Sequence, residues 1–202
     1  MGLMSGTSMD GIDLSIIKSD GYDQFTSILD NYFEFDKELR MNLIDLRKSI
    51  LTSDDLNKFY KELGSIEKKF TLFNGQIIEK VLKNFDEDID LIGFHGQTIF
   101  HDSNKKITKQ IGDGKLLSQM TKKIVVNDFR QQDLINNGQG APLTPIFHKL
   151  LSKFLNREHN LNFPLNVVNV GGITNVTKIY NDSFSLNSNL KAFDIAPGNC
   201  LV

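Results

Sequence analysis

Within eight residues near the start of the chain, Gly6-Thr7-Ser8-Met9-Asp10-Gly11-Ile12-Asp13, stand two glycines, two hydroxyls and two acids. Exposed glycine backbone and the hydroxyls of Thr7 and Ser8 supply donors for phosphate oxygens. Asp10 or Asp13 could hold magnesium, directly or through water. The same composition also suits an ordinary Gly/Ser/Asp turn, so the elements around it matter. Gly2-Leu3-Met4 ahead is apolar, and Ile12, Leu14, Ile16 and Ile17 behind it resume a strand-like pattern, which predicts a β-hairpin with this stretch as its turn.

A turn follows at Lys18-Ser19-Asp20-Gly21, and Phe25 to Phe35 reads as a third strand of an antiparallel meander. From Asp36 the period becomes helical through Leu39, Leu43, Leu46 and Ile50. A second helical stripe starts near Ser53 and runs to Val81, either as one long helix or as two broken near Asn74-Gly75. The run 89–94 is expected to be a central strand with His95-Gly96-Gln97-Thr98 at its C-terminal end, where ligands collect in open α/β sheets. Residues 99–101 and 107–111 suggest an additional hairpin, 112–122 a helix, and 124–127 a buried strand leading into Asp128-Phe129-Arg130. After the loop Gly138-Gln139-Gly140-Ala141-Pro142, residues 142–153 carry helical spacing.

The polar stretch 156–162 is expected to link two domains, 1–160 and 161–202. Beyond it, 165–170, the turn Gly171-Gly172-Ile173-Thr174-Asn175 and 176–180 repeat the design of the opening hairpin. A third strand, 191–195, runs into Pro197-Gly198-Asn199, with a helix expected from Val202. Two phosphate-type hairpins at the heads of two strand-then-helix units predict a cleft between two domains, the second of them unfinished.

Bulk properties narrow the class. The 202 residues are 40% hydrophobic and 24% charged with net charge −2, as expected for a soluble globular chain without a nucleic-acid or polybasic membrane footprint. The single cysteine, Cys200, and the absence of a leader-like start favour the cytoplasm; the triplets Asn175-Val176-Thr177 and Asn181-Asp182-Ser183 are then inert for glycosylation. Neither a Walker G-x-x-x-x-G-K-[ST] nor a strand-following G-x-G-x-x-G is present. His95 and His101 lack a third ligand at metal spacing, and His101 and His148 read as ordinary histidines.

Taken together, Ser5-Gly6-Thr7-Ser8-Met9-Asp10-Gly11, Gly93-Phe94-His95-Gly96-Gln97-Thr98, Asp128-Phe129-Arg130 with Gly138-Gln139-Gly140-Ala141-Pro142, Val170-Gly171-Gly172-Ile173-Thr174-Asn175, and Phe193-Asp194 with Pro197-Gly198-Asn199 resemble the anhydro-N-acetylmuramic acid kinase family. The resemblance implies an α/β, actin-like sugar-kinase (ribonuclease H-like) fold that uses ATP and Mg2+ in peptidoglycan recycling. It implies hydrolytic opening of 1,6-anhydro-N-acetylmuramic acid with phosphorylation of the freed O6, giving N-acetylmuramic acid 6-phosphate and ADP. Asp128 is the candidate base for the attacking water, since a carboxyl of ordinary pKa about 3.9 is ionised at neutral pH. Arg130 is expected to hold sugar oxygens or to keep Asp128 ionised. Sugar hydrogen bonds are assigned to His95, Gln97 and Thr98. The cofactor is assigned to residues 6–13 and, from the second hairpin, to Gly171, Gly172, Asn175, Gly198 and Asn199. A homodimer is left open.

Two departures stand out. Where the family pattern reads Asp-Thr-Gly-Pro-Gly-Asn, this chain has Ile195 and Ala196 for the hydroxyl residue and first glycine, and Asn137 replaces a usual glycine, a milder change because asparagine tolerates left-handed backbone. The family's chain also continues through a complete second domain, so the adenosine pocket is expected to be missing here. Two other classes stay open: a non-catalytic sugar-binding module, and a metal-assisted hydrolase built on His95, His101 and Asp128.

Overall fold

The computed structural model describes residues 1–181 and 190–198. Asn199, Cys200, the helix expected from Val202 and the end of the Asn181-Asp182-Ser183 triplet lie outside the described residues. The chain divides into two compact units, Met1–Gly140 and Ala141–Val202.

The first unit opens with the expected meander, β1 (Gly2–Ser5), β2 (Gly11–Ser19) and β3 (Phe25–Glu34). Leu3 on β1 and Ile12, Leu14 and Ile16 on β2 are buried, which is the two-residue period of a sheet with one face on the core. Helix α1 (Lys37–Ser49) is capped by the Asp36 carboxylate, which accepts from Leu39 N at 2.8 Å. The second helical stripe is divided, but at Phe59 and not near Asn74-Gly75. Short α2 (Ser53–Lys58) ends there and α3 (Tyr60–Leu82) continues unbroken. Inside α3, Asn74 Nδ2 donates to the Phe70 carbonyl, and a Cβ on Gly75 would lie 2.2 Å from Met120 Cε, so Gly75 lets a second helix approach.

The largest difference from expectation is β4 (Leu91–Asp102), a single strand that runs straight through His95-Gly96-Gln97-Thr98. It pairs in parallel with β1 and, through residues 91–94, with β6 (Ile124–Asn127); through residues 97–102 it pairs antiparallel with β5 (Ile107–Ile111). The sheet order is β3-β2-β1-β4, with β5 and β6 both on β4. Helix α4 (Gly114–Thr121), capped by Asp113, joins β5 to β6. The polar residues after β6 form a helix, α5 (Phe129–Ile135). Leu14, Leu43, Phe70, Ile78, Ile92, Phe94, Ile111 and Leu117 are essentially inaccessible and form the core between sheet and helices.

In the second unit, α6 (Pro145–His159) packs on the sheet of β7 (Leu165–Val170), β8 (Ile173–Ile179) and β9 (Leu190–Pro197). The boundary therefore falls at Gly140/Ala141, ahead of the 160/161 expected from composition, because α6 shares its contacts with the strands that follow it. His148 Nδ1 meets Thr177 Oγ1 at 2.8 Å across that packing.

Candidate active site

The turn between β1 and β2 is built from its buried residues outward. Met9, at φ 53, and Ile12 are 2% and 1% exposed, so the side chains of these two expected cofactor residues belong to the core. Met9 N donates to Gly6 O, and Gly11 is a glycine because a Cβ there would meet Phe33 O at 2.4 Å and the Tyr32 ring at 2.6 Å. Thr7 and Ser8 are exposed, and Gly6 faces open space apart from Ser8 Oγ. Ser8 Oγ donates to Asp10 at 2.7 Å. Burial and, after it, the charge of Asp10 raise the pKa of Asp13 above the usual carboxylate value. Two neighbouring acids, one of them with its ionisation disfavoured, beside exposed hydroxyls fit a divalent cation and phosphate oxygens, with Thr7, Ser8, Asp10 and Asp13 as the groups that would hold them. Among the described residues no cluster of three or more His, Cys, Asp or Glu suits a metal, so water or phosphate would complete any coordination.

On β4 the motif residues separate. The β1–β4 register slips between Leu3↔Phe94 and Ser5↔Gln97, and Gly96 takes φ +76 at that point. A Cβ on Gly96 would sit 2.4 Å from Ile111 O. The extra residue is a β-bulge, and it returns Gln97 to the buried set with Ile92 and Phe94 while His95 and Thr98 are half-buried. Gln97, assigned to the sugar from sequence, is instead fully buried and bonded within the protein. Its Oε1 lies 2.5 Å from Ser5 Oγ, and its Nε2 donates to Gly6 O at 3.0 Å and Thr98 O at 3.3 Å. Thr98 Oγ1 accepts from Gln110 Nε2 at 3.2 Å.

His95 is engaged at both ring nitrogens. Nδ1 lies 2.7 Å from Gly96 O, and Nε2 accepts from Arg130 Nε at 3.0 Å, an arrangement that requires the neutral Nδ1–H tautomer. Burial, with the Arg130 charge second, pushes its pKa down to about 4. Arg130, its own pKa lowered by burial, also donates from Nη1 to Gly140 O at 2.6 Å. It makes no ion pair with Asp128 among the described residues.

Asp128 occupies the junction of β6 and α5 in the left-handed region, φ 60 and ψ 45. Its carboxylate is exposed and makes no hydrogen bond or ion pair among the described residues. It lines an open cleft of about 250 Å³ with His95 and Phe94 from β4, Asn127 from β6 and Gln131 from α5. Glu67, Thr108, Lys109 and Gln110 complete the wall and were not identified from the sequence. Glu67 Oε1 accepts from Lys109 Nζ and from Gly112 N, each at 3.1 Å. Asn127 and Gln131 flank Asp128 in the chain and were findable by proximity. Glu67 was not, because it arrives from a helix whose period announces only a core face.

In the second unit the β7–β8 turn consists of Gly171 and Gly172 alone. Asn175, expected in the turn, lies in β8 opposite Asn169 and Asp194, its Oδ1 buried without a partner among the described residues. Gly198 N donates to Gly172 O at 2.9 Å, and a Cβ on Gly198 would come within 2.0 Å of Gly171 O. Gly171 itself is open. Ile195 and Ala196, which depart from the family pattern in the last motif, are exposed residues of β9.

The family model for anhydro-N-acetylmuramic acid kinase matches residues 1–202. The chain belongs to that family. Its α/β fold, with a central mixed sheet flanked by helices, is that of the first domain of the sugar-kinase and actin-like ATPase class. The protein named anhydro-N-acetylmuramic acid kinase from Pelagibacter ubique (strain HTCC1062) is 48% identical over 202 residues, covering all of this chain and 52% of the relative. The proteins of the same name from Agrobacterium fabrum (strain C58 / ATCC 33970) and Methylobacterium nodulans are 40% and 38% identical, again over the whole chain and 53% and 55% of their own lengths. The chain thus spans about half the length of the curated family members it matches. No helix among the described residues is long and apolar enough to cross a membrane.

Proposed function

We propose that this chain supplies the sugar cleft and the first phosphate hairpin of an ATP-dependent kinase acting on 1,6-anhydro-N-acetylmuramic acid in cytoplasmic peptidoglycan recycling. The family match over residues 1–202 carries the reading. The reaction adds a water oxygen to C1 as the C1–O6 bond breaks, with O6 taking the phosphoryl group, to give N-acetylmuramic acid 6-phosphate and ADP. Bound ATP with Mg2+ supplies that phosphoryl group and neutralises its charge.

The chain's own residues have separate tasks. Asp128, exposed and, among the described residues, unpaired at the strand end, accepts the proton of the attacking water. Arg130 offers the sugar its Nη2, since Nε and Nη1 are committed to His95 and Gly140. Thr108, Gln110 and Gln131 give the cleft hydroxyl and amide groups suited to sugar oxygens, and Thr98 supports Gln110 through its hydroxyl. Thr7, Ser8 and the Gly6 backbone meet phosphate oxygens and Asp10 and Asp13 the cation, and Gly171 and Gly172 form a second glycine turn with backbone suited to phosphate.

The test is turnover of 1,6-anhydro-N-acetylmuramic acid with ATP, Mg2+ and ¹⁸O-labelled water, run on this chain and on the chain extended to the length of its relatives. Label at C1 of a 6-phosphorylated product, reduced by roughly 10²–10⁴ in Asp128→Asn with unfolding unchanged, is the expected outcome. Sugar binding without product in both forms would leave a sugar-binding module and overturn the kinase reading.

A further inference from the structure

Among the described residues Asp128 has no side-chain anchor of its own, yet a general base must be held within hydrogen-bond reach of its water. What surrounds it is a chain of fixed contacts. On one side Asn127 pairs with Phe94 in the β4–β6 ladder. On the other, two residues beyond Asp128, Arg130 bonds to His95, the very next residue of β4. Arg130 then reaches Gly140 O, while Gly140 N donates to Asp133 Oδ2 at 2.7 Å and Gly138 N to Asp133 O at 2.8 Å, so the loop after α5 is folded back on the helix. Asn137 enters that loop at φ 68, and a Cβ on Gly138 would collide with the Asp133 carboxylate.

We infer that His95 is a positioning residue that, as the Nδ1–H tautomer, fixes Arg130 at Nε2 and through it holds the first turn of α5 and the Gly138–Gly140 loop, without touching substrate itself. The inference rests on the reading of Asp128 as base only for its kinetic consequence. Both ring nitrogens are used inside the protein, which leaves His95 no hydrogen bond for a sugar. A guanidinium donor on Nε2 also excludes a protonated ring, so His95 cannot serve as an acid there. Glutamine is the conservative replacement, because its Oε1 can accept from Arg130 where alanine cannot.

The experiment uses His95→Gln, His95→Ala, Arg130→Lys and the double variant His95→Ala/Arg130→Lys. Ring ¹⁵N shifts of His95 in the parent protein are expected to show a protonated Nδ1 and an unprotonated Nε2 at neutral pH. Amide exchange at Gly138 and Gly140 is expected to quicken about tenfold in His95→Ala and to be largely restored in His95→Gln. In turnover, His95→Ala is expected to lower kcat about tenfold or more with KM for the sugar within about twofold, and the double variant to be no worse than Arg130→Lys alone. A raised KM with unchanged kcat, an Nε2–H tautomer, or unchanged loop exchange in His95→Ala overturns the inference. If neither the chain nor its extended form makes product while the tautomer and exchange results hold, the kinase reading fails and the positioning role of His95 stands.

Discussion

Ser5 Oγ and Gln97 Oε1, ninety-two residues apart in sequence, meet at 2.5 Å in the interior, both residues being almost wholly buried. Through the same amide, Gln97 Nε2 reaches Gly6 O, so the first residue of the β1–β2 turn is fastened to the central strand. The turn's backbone is placed by β4 more than by its own sequence.

Removing that amide takes one partner each from the Ser5 hydroxyl and the Gly6 carbonyl, which keep Gly11 O and Met9 N, and it deletes the bond to Thr98 O as well. Gln97→Leu, which loses three hydrogen bonds, is expected to destabilise the first unit by about 1.5–4.5 kcal/mol, at roughly 0.5–1.5 kcal/mol for each, and Ser5→Ala, which loses two, by less. Urea unfolding of the two variants gives the comparison; equal losses would place the energy elsewhere.

Gly171 and Gly198 should respond differently to the same added methyl. Gly198→Ala drives a Cβ to within 2.0 Å of Gly171 O and is expected to break the β8–β9 end pairing and destabilise the second unit. Gly171→Ala meets nothing closer than 3.8 Å, so thermal stability should hold while affinity for ATP falls if phosphates approach this turn. Thermal melting together with nucleotide titration separates the two effects.

The raised pKa of Asp13 has a defined sign. Between its unfolded value of 3.8 and the higher folded value the native state binds more protons, so this group's contribution to stability falls as pH rises through that window. Asp13→Asn is therefore expected to be more stable than the parent at neutral pH, with the gain vanishing below pH 3.8 and stabilisation by Mg2+ lost. Melting curves across pH, with and without Mg2+, check both halves.

His95 has the opposite sign. Its folded pKa of about 4 lies below the ordinary 6.5, so the unfolded state binds more protons in between; stability is fully present above pH 6.5 and is lost as pH falls towards 4. The loss attributable to this ring is on the order of 3 kcal/mol, from about 1.4 kcal/mol per unit. His95→Gln, with no proton to gain, should flatten the stability profile between pH 6.5 and 4, measured by urea midpoints; an unchanged slope would mean the ring is solvated in the native state.

Much of the architecture was legible in local pattern. The opening meander, the helical stripes from Leu39 to Val81 and the Gly171-Gly172 hairpin each follow from apolar period and turn chemistry, because alternate burial and left-handed or glycine turns leave a mark on neighbouring residues; the strand 124–127 was expected to be buried, yet its Ile124 and Val126 are exposed. The left-handed backbone at Asn137 was readable for the same reason. Family membership came from the order of five short motifs.

What the tertiary structure decided is the use made of those residues. A motif reading treats His95, Gln97 and Thr98 alike, but the Gly96 bulge, set by the approach of Ile111 O, sends Gln97 into the core to hold the β1–β2 turn and leaves His95 facing Arg130. Met9 and Ile12 sit in a ligand-like string and pack as core, since a tight turn must bury some of its own residues. Glu67 and Lys109 join the cleft from α3 and β5, and α6 joins the strands after it, through contacts between distant elements that local period does not encode. Short-range sequence determined which residue types were present for the chemistry; the register of β4 against its neighbours determined which of them remain free to perform it.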